Sequence, residues 1–455
     1  MTMLAADGRD VWRYLDALAL GPSTPRRRTL DRMRGLVEAL GQPQRAFPSI
    51  HVTGTNGKGS TVAYAAALLT ATGLRVGTYT SPHLHNITER VRIDGRPVSG
   101  DRMADAVGRV VKAAPDGVDH SWFEVVTASA FVLLAEAGID VAVIEVGALG
   151  RFDATNVIDA DVAIITNIEI EHTERAGPTR AHIATEKSGI VRRGATLVLG
   201  EPDPSLDEAW AAAGPGRLLR IGDDYGSRHR SRTPAGTYVD LWSPWGTRHG
   251  VPIGAAGPYQ CSNAATALAA VDAYLAANQA APVARPAIEA ALANTRVGGR
   301  WDVVAQAPTV ILDGAHNPAG AAALASTVEE ELDGVRPRVL VVGMRGRRPP
   351  ADLLAALRPD RFDHIVCTQP PAGDACPAGT VADALPSESD AARPSVHVMP
   401  EWTRAVSLAR DLAGPTGAVL VTGSLYLVGA VHGELTVDTQ PDETRRRPAN
   451  PQSSR

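Results

Sequence analysis

At 455 residues the chain is too long for one ordinary core, and two domains are expected. Its 44% hydrophobic and 21% charged content is that of a globular protein, and a net charge of −5 with acids and arginines interspersed provides no nucleic-acid surface. No apolar run is long enough for a membrane span, no apolar signal core opens the chain, and Cys261, Cys367 and Cys376 have neither disulfide nor zinc spacing, so a cytoplasmic protein is expected.

In chain order, the residues up to 43 read as two helical stretches broken around 21–25. Val11, Leu15 and Leu18, then Leu30, Met33, Leu36 and Leu40, are spaced for buried faces. After Pro48 the pattern switches to a short buried strand at 49–53, a glycine loop, and an Ala-rich helix to about residue 72. Further strands are expected at 75–79, 141–145, 162–167 and 196–199, with a helix at 123–137 between them. This is a parallel α/β sheet, whose motifs fall at strand C-terminal ends, where such sheets place ligands.

Residues 217–252 change to Gly, Ser, Thr, Arg and Trp in short alternating runs and read as a hairpin-rich subregion. Helices at 260–276 and 287–294 lead to Gly298-Gly299, where the domain boundary is placed. Strands then recur at 309–312, 338–342, 364–367, 396–399 and 418–422, giving a second, smaller Rossmann-like α/β domain. The expected division is therefore a P-loop-type parallel-sheet domain over 1–297, a C-terminal domain over 298–433, and a polar disordered tail over 434–455.

Only three of the 45 basic side chains are lysines: Lys58, Lys112 and Lys187. Arginine serves almost any solvated charge, so a retained lysine points to a compact ammonium or to an amine that can lose its proton and react. Lys112 reads as a solvated helix residue. Lys58 lies in Gly54-Thr55-Asn56-Gly57-Lys58-Gly59-Ser60-Thr61, between the strand and the helix. Such a turn presents backbone N–H groups and a positive helix end to an anion, with the lysine neutralising outer phosphates. The spacing is not the usual Walker form, since Val52 stands six residues before Lys58 and Gly59 separates the lysine from Ser60. A plain glycine turn has no need of that lysine, serine and threonine, so nucleotide binding is expected.

Glu145 ends one strand, Glu171-His172 follows another, and Ser81-Pro82-His83 follows a third. A hydroxyl, a carboxylate and an imidazole at three neighbouring strand ends could hold a hard divalent ion together with waters and phosphate oxygens. Taken singly, Glu145 also reads as a salt-bridged strand end, His172 as a loop residue and Ser81 as a helix cap.

The run from Thr53 to Thr61 resembles the ATP loop of the Mur-ligase superfamily, and its Gly59-Ser60 ending resembles the folylpolyglutamate synthase and dihydrofolate synthase branch. Matching segments continue to Ser424. The resemblance implies ATP and Mg²⁺ as cofactors, metal ligands at Ser81, Glu145 and His172, and Ser60 or Thr61 serving a second ion. It aligns Lys187, within Thr185-Glu186-Lys187-Ser188-Gly189-Ile190, with a lysine that is carbamylated in the family. Carbamylation needs a neutral amine, which a partly buried lysine beside cations supplies and arginine cannot.

On the acceptor side the resemblance matches a long loop, Thr80 to Gly95, containing Ser81, Pro82 and His83. It also matches Leu30 to Met33, Phe123-Glu124 and Phe152-Asp153-Ala154 to pteroate-contacting segments. Asn263 matches the residue touching the nucleotide base. Arg300 would reach ATP phosphates, Asp313 the ribose or the incoming ammonium, and His316 the amino acid, with Lys58, Lys187 and His316 as catalytic residues.

The implied activity converts a carboxylate of dihydropteroate or a folylpolyglutamate into an acyl phosphate, which the amine of L-glutamate captures, releasing ADP and phosphate. The implied partners are these small molecules alone, with no nucleic acid or membrane, acting on a monomer whose two domains close about 297–300. Three positions depart from the family: Gly147-Ala148-Leu149-Gly150-Arg151-Phe152-Asp153 lacks a glycine, Glu171 replaces the usual Asp, and Met344-Arg345-Gly346-Arg347 lacks acidic residues. Two other readings stand beside this one: a Mur-type ligase acting on a different carboxylate, and a catalytically silent nucleotide-binding regulator.

Overall fold

The computed structural model describes residues 8–20, 28–233, 236–346, 349–386 and 394–437. It divides into two compact units, the first running to Gly254 and resuming at Gln260–Thr295, the second comprising Ala255–Tyr259 and the chain from Arg296 onward. The break expected around 21–25 lies outside the described residues.

The first unit is built on strands β1 (Ser49–Thr53), β2 (Val76–Tyr79), β3 (Val91–Ile93), β4 (Arg96–Pro97), β5 (Val141–Glu145), β6 (Val162–Ile165), β7 (Thr196–Leu199) and β8 (Arg217–Arg220). They form one sheet in the order β4-β3-β2-β5-β1-β6-β7-β8, parallel from β2 to β8 with an antiparallel β3-β4 edge. β1, β5 and β6 are buried along their whole length, as strands covered by helices on both faces must be, which is why they read as unbroken apolar runs. Against one face lies helix Trp122–Ala137, whose Val125, Val126 and Phe131 share a core with Met33, Leu36, Val107, Val110 and Ile144. Ile183 and Ala184 of helix Arg180–Ser188 and Trp210 form another core with Ile165, Leu197 and Leu199.

The hairpin-rich subregion starts later than 217. Arg217–Arg220 pairs parallel to β7 as the last strand of the large sheet, because Leu219 fills the core edge while only the flanking arginines give the segment its polar look. The antiparallel sheet proper is β9 (Gly226–Thr233), β10 (Gly236–Ser243) and β11 (Gly246–Ile253). Arg248 of β11 pairs at 3.0 Å with Asp272 of helix Pro258–Ala277, and Ser243 donates to the same carboxylate at 2.8 Å. Both side chains are buried.

The second unit carries β12 (Asp302–Gln306), β13 (Thr309–Leu312), β14 (Arg338–Gly343), β15 (His364–Thr368), β16 (Ser395–Val398) and β17 (Ala418–Thr422) in the order β12-β13-β17-β14-β15-β16. All pairings are parallel except β12-β13. β12 escapes a periodicity reading because this edge strand is half exposed, with Val303 42% exposed. The tail expected from residue 434 begins too early. Helix Leu425–Val437 continues past Gly433, because buried Leu427, Val428 and Val431 carry an apolar face that outweighs two interior glycines, Gly429 and Gly433. Residues 438–455 lie outside the described residues.

Removing the guanidinium opposite Asp272 leaves a carboxylate buried without its countercharge. Arg248→Ala is expected to destabilise the first unit by about 3 kcal/mol, read from urea unfolding midpoints. A midpoint matching the wild type would show that the pair contributes nothing to stability.

Candidate active site

The exit of β1 is shaped by a close backbone approach. Gly54 has φ +143, and a Cβ there would lie 1.8 Å from Thr166 Oγ1, so no other residue fits. Thr166 Oγ1 donates to the Asn56 carbonyl at 2.6 Å, and Asn167 Oδ1 accepts from the backbone N–H groups of Thr55 at 3.2 Å and Asn56 at 2.8 Å. The exit of β6 therefore moulds the loop leaving β1. Gly57, at φ +84, ends the loop against Asn263, whose Oδ1 would lie 2.4 Å from an added Cβ. Helix Lys58–Thr70 starts immediately afterwards. Lys58 curls back over the loop, its Nζ donating to the carbonyls of Gly54 at 2.9 Å and Thr55 at 3.1 Å. Ser60 and Thr61 occupy the buried first turn, and Thr61 Oγ1 has no partner among the described residues.

Glu145, at the end of β5, reaches the same place. Its Oε2 accepts from the Ser81 backbone N–H at 2.9 Å and would lie 3.7 Å from a Cβ on Gly59. The ends of β1, β2 and β5 thus bring Ser81, Glu145 and the loop together. His172, after β6, stands in the left-handed region at φ +49 and is partly exposed. Burial lowers its pKa first, against Glu171 and Glu174, which raise it, and Lys187 and Arg175, which lower it. Among the described residues no three His, Cys, Asp or Glu side chains converge as a metal cage. A carboxylate and serine hydroxyls are donors that suit an ion which keeps its waters and takes phosphate oxygens, as Mg²⁺ does.

Lys187 is entirely buried, and its Nζ lies 2.7 Å from Glu171 Oε1. Burial, opposed by Glu171 and reinforced by Lys58, brings the ammonium down to about 8. Burial alone would raise Glu171, yet Lys187 and then Lys58 hold it at about 2. A surface pairing with the adjacent Glu186 does not occur, since Glu186 pairs instead with Arg28 and Arg151.

The long loop after β2 is organised by Glu89, which accepts from the backbone N–H groups of Leu84, His85 and Asn86 at 2.8 to 3.0 Å. His83 Nδ1 accepts from Arg90 Nε at 2.9 Å, and burial followed by Arg90 pushes the imidazole down to about 4, so it is neutral at pH 7. Arg90 also lies 4.8 Å over the Trp122 ring. Phe123 packs on Gly147, where a Cβ would lie 2.3 Å from its ring, while Phe152 is 41% exposed with Arg28 stacked on it. Glu124 is committed locally, capping its own helix through Ser121 and pairing with Arg32 at 3.1 Å. Ala154 is buried in the core, and Asp153 is buried beneath the exposed Phe152.

In the second unit both Asp313 oxygens accept backbone amides, from Trp301 and Ala315, each at 2.9 Å. Burial raises its pKa and Arg300 opposes the rise. Arg300 lies against Gly314, and His316 is exposed, its Nδ1 donating to the Gly314 carbonyl at 2.8 Å. Two cavities, of about 530 and 400 Å³, lie at the N-terminal ends of β13 and β17 and of β1, β6 and β7. Neither is at the strand ends where α/β sheets place ligands.

The Mur ligase middle domain matches residues 52–271, and the Mur ligase glutamate ligase domain matches residues 299–425. The dihydrofolate synthase/folylpolyglutamate synthase of Mycobacterium tuberculosis is 38% identical over 361 residues, covering 75% of this chain and 74% of that protein. The chain belongs to this Mur-ligase family. Among solved members of the dihydrofolate synthase/folylpolyglutamate synthase family, Escherichia coli FolC in complex with DHPP and ADP superposes with a TM-score of 0.83 at 30% identity, covering 94% of this chain and 98% of that one. A bifunctional folylpolyglutamate synthase/dihydrofolate synthase with Mn, AMPPNP and L-glutamate bound superposes at 0.81 with 32% identity, covering 94% of this chain and 98% of that one.

Thr166, Asn167 and Trp122 went unflagged in the sequence. Asn167 follows β6 by two residues, and a polar side chain at a strand exit facing the loop of its neighbour is the one signal that could have found it. Asn167→Ala removes two hydrogen bonds worth about 1 kcal/mol each. The variant is expected to fold normally and to raise the KM for ATP about tenfold, measured by ADP release. An unchanged KM would mean that the glycine loop holds its shape unaided.

Proposed function

We propose that the chain uses ATP and Mg²⁺ to join L-glutamate in amide linkage to the carboxylate of dihydropteroate, of reduced folylglutamates, or of both. The observation that carries this reading is the junction of the Gly54–Thr61 loop, Lys58, Ser81 and Glu145 at the ends of β1, β2 and β5, in a chain of this family. A carboxylate is a poor acyl donor until its oxygen becomes a leaving group. Approach of that anion to the terminal phosphate is opposed by repulsion, which the Lys58 ammonium offsets once it turns from its carbonyl partners to the phosphate oxygens. Magnesium held by Ser81, Glu145 and His172, with Ser60 or Thr61 serving a second ion, would supply further charge neutralisation at the phosphates. Phe123 and Phe152 provide apolar faces for a flat heteroaromatic acceptor, with His83 as a neutral hydrogen-bonding edge. Arg300, Asp313 and His316 serve the nucleotide and the incoming amino acid. The substrates are small molecules, the chain acts as a monomer, and its place is the cytoplasm. No helix among the described residues is long and apolar enough to cross a membrane.

Incubation with ATP, Mg²⁺ and L-glutamate, offering dihydropteroate, a reduced folate and a muramyl peptide separately, is expected to give an amide with either of the first two. Amide formation on the muramyl peptide alone would overturn the acceptor assignment, and no ADP with any acceptor would favour a silent regulator. Lys58→Ala is expected to lower kcat by about 100-fold or more.

Lys187 is proposed to carry a carbamate. Its pKa near 8 leaves roughly a tenth of the amine neutral at pH 7, against well under a thousandth for an ordinary lysine. Modification would turn a cation into an anion beside Glu171, with Lys58 and the metal as countercharges. Because the reactive form is the neutral amine, carbamate occupancy is expected to rise severalfold between pH 7 and 8.5. ¹³C-bicarbonate NMR reads this directly, with Lys187→Arg lacking the signal. A missing signal at pH 8.5 in the wild type would rule the carbamate out.

A further inference from the structure

β1 is buried on both faces, yet alternate residues on one of them are polar. Ile50 and Val52 point to one face, while His51 and Thr53, 0% and 1% exposed, point to the other, level with apolar Ile144 and Ala163. Polar side chains so deeply buried are unfavourable unless bonded. Both are bonded to the segment that follows β5: Thr53 Oγ1 donates to the Leu149 carbonyl, and His51 Nε2 lies 2.9 Å from Thr155 Oγ1.

The single hydroxyl proton of Thr155 fixes the direction of this chain of bonds. Thr155 Oγ1 lies 2.6 Å from Asp153 Oδ1, which also accepts the Thr155 backbone N–H at 3.0 Å, while Asp153 Oδ2 accepts the Ala148 N–H at 3.0 Å. Burial raises the Asp153 pKa, the hydrogen bonds from Thr155, Ala148 and Gly147 oppose the rise, and the carboxylate that accepts N–H groups on both oxygens takes the hydroxyl proton as well. Thr155 Oγ1 must then accept from His51, so the imidazole carries its proton on Nε2 and leaves Nδ1 bare. His51 Nδ1 has no partner among the described residues, which agrees with an unprotonated nitrogen. Burial, then Arg192, pushes the imidazole down to about 3, so this neutral form is kept throughout the working range.

We infer that His51 is a positioning residue for the acceptor pocket: in its Nε2–H form it holds Thr155, and through Thr155 the Asp153 carboxylate, fixing the turn that presents Phe152. The strand that delivers the nucleotide loop thus also sets the loop proposed to receive the flat ring of the acceptor. This role rests on the pteroate or folate reading of the 147–154 segment. It needs one donor at the Nε2 position and no proton transfer.

The variants are His51→Leu, which fills the space without a donor, and His51→Gln, whose amide can place an N–H near the Nε2 position. Thr155→Val and Thr155→Ser repeat the contrast one step along, should His51→Leu fail to fold. His51→Leu and Thr155→Val are expected to raise the acceptor KM about tenfold with the ATP KM unchanged, and His51→Gln and Thr155→Ser to stay within about threefold of the wild type. ¹⁵N-histidine NMR of the wild-type protein is expected to show the Nε2–H form of His51 from pH 5 to 9. An acceptor KM unaffected in the donor-less variants, equal rises in both KM values, or an Nδ1–H imidazole would overturn the inference. If the wild type takes no pteroate or folate acceptor, the functional reading falls, and the tautomer still decides the bonding chain.

Discussion

The architecture of the site depends on how closely two backbones meet. Gly54 leaves β1 so near the exit of β6 that even a methyl group would collide with Thr166, and that proximity lets Asn167 grip the amides of Thr55 and Asn56. Those two amides point to Asn167 and so fix the path of the loop, which ligand binding then does not have to order. The same proximity sets the start of helix Lys58–Thr70 and hence the position of Lys58, Ser60 and Thr61. A parallel sheet is what makes such a meeting possible, since neighbouring strands end at the same level and their exit loops compete for the same space.

Around that loop the charges are arranged to be unstable individually and balanced together. Lys187 is wholly buried, Glu171 nearly so, and each is shifted by the other and by Lys58. A lysine held near 8 is poised between an ammonium that balances Glu171 and an amine that can react. Arginine offers only the first state, which explains in physical terms why a chain that uses arginine almost everywhere retains lysine here. Glu171, in place of the shorter residue usual in the family, reaches Lys187 directly at 2.7 Å.

Much of this was legible in the sequence because it is local. The glycine loop, its lysine, and the carboxylate at the end of β5 are features of short runs, and the buried parallel strands announce themselves as apolar segments bounded by turns. What escaped was set by partners distant in sequence. Asn167 acts on residues over a hundred positions earlier, and Trp122 matters only because Arg90 folds over it. β8 was misread because its two arginines dominate a four-residue strand, and β12 because an exposed edge loses its periodicity. Glu124 was matched to the acceptor site, and what the sequence did not show is that its carboxylate also caps its helix and pairs with Arg32.

The segment after β14, which lacks acidic residues of its own, has its arginine met by a carboxylate from another segment. Arg345 is met there by Asp374, whose two oxygens accept from Nε and Nη2 at 2.6 Å each, and stacks 4.9 Å over Tyr426. Asp374 comes from the loop after β15, the neighbouring strand, so a carboxylate is delivered to the same sheet end by a different segment. A bidentate pair of this kind fixes the guanidinium plane as well as its charge. The local sequence departs from the family at residues 344–346, while the end of β14 keeps an acidic group beside it. The carboxylate there is neutralised by Arg345. The same logic links His51 to Asp153, where the residue that orients a loop stands on a strand a hundred residues away.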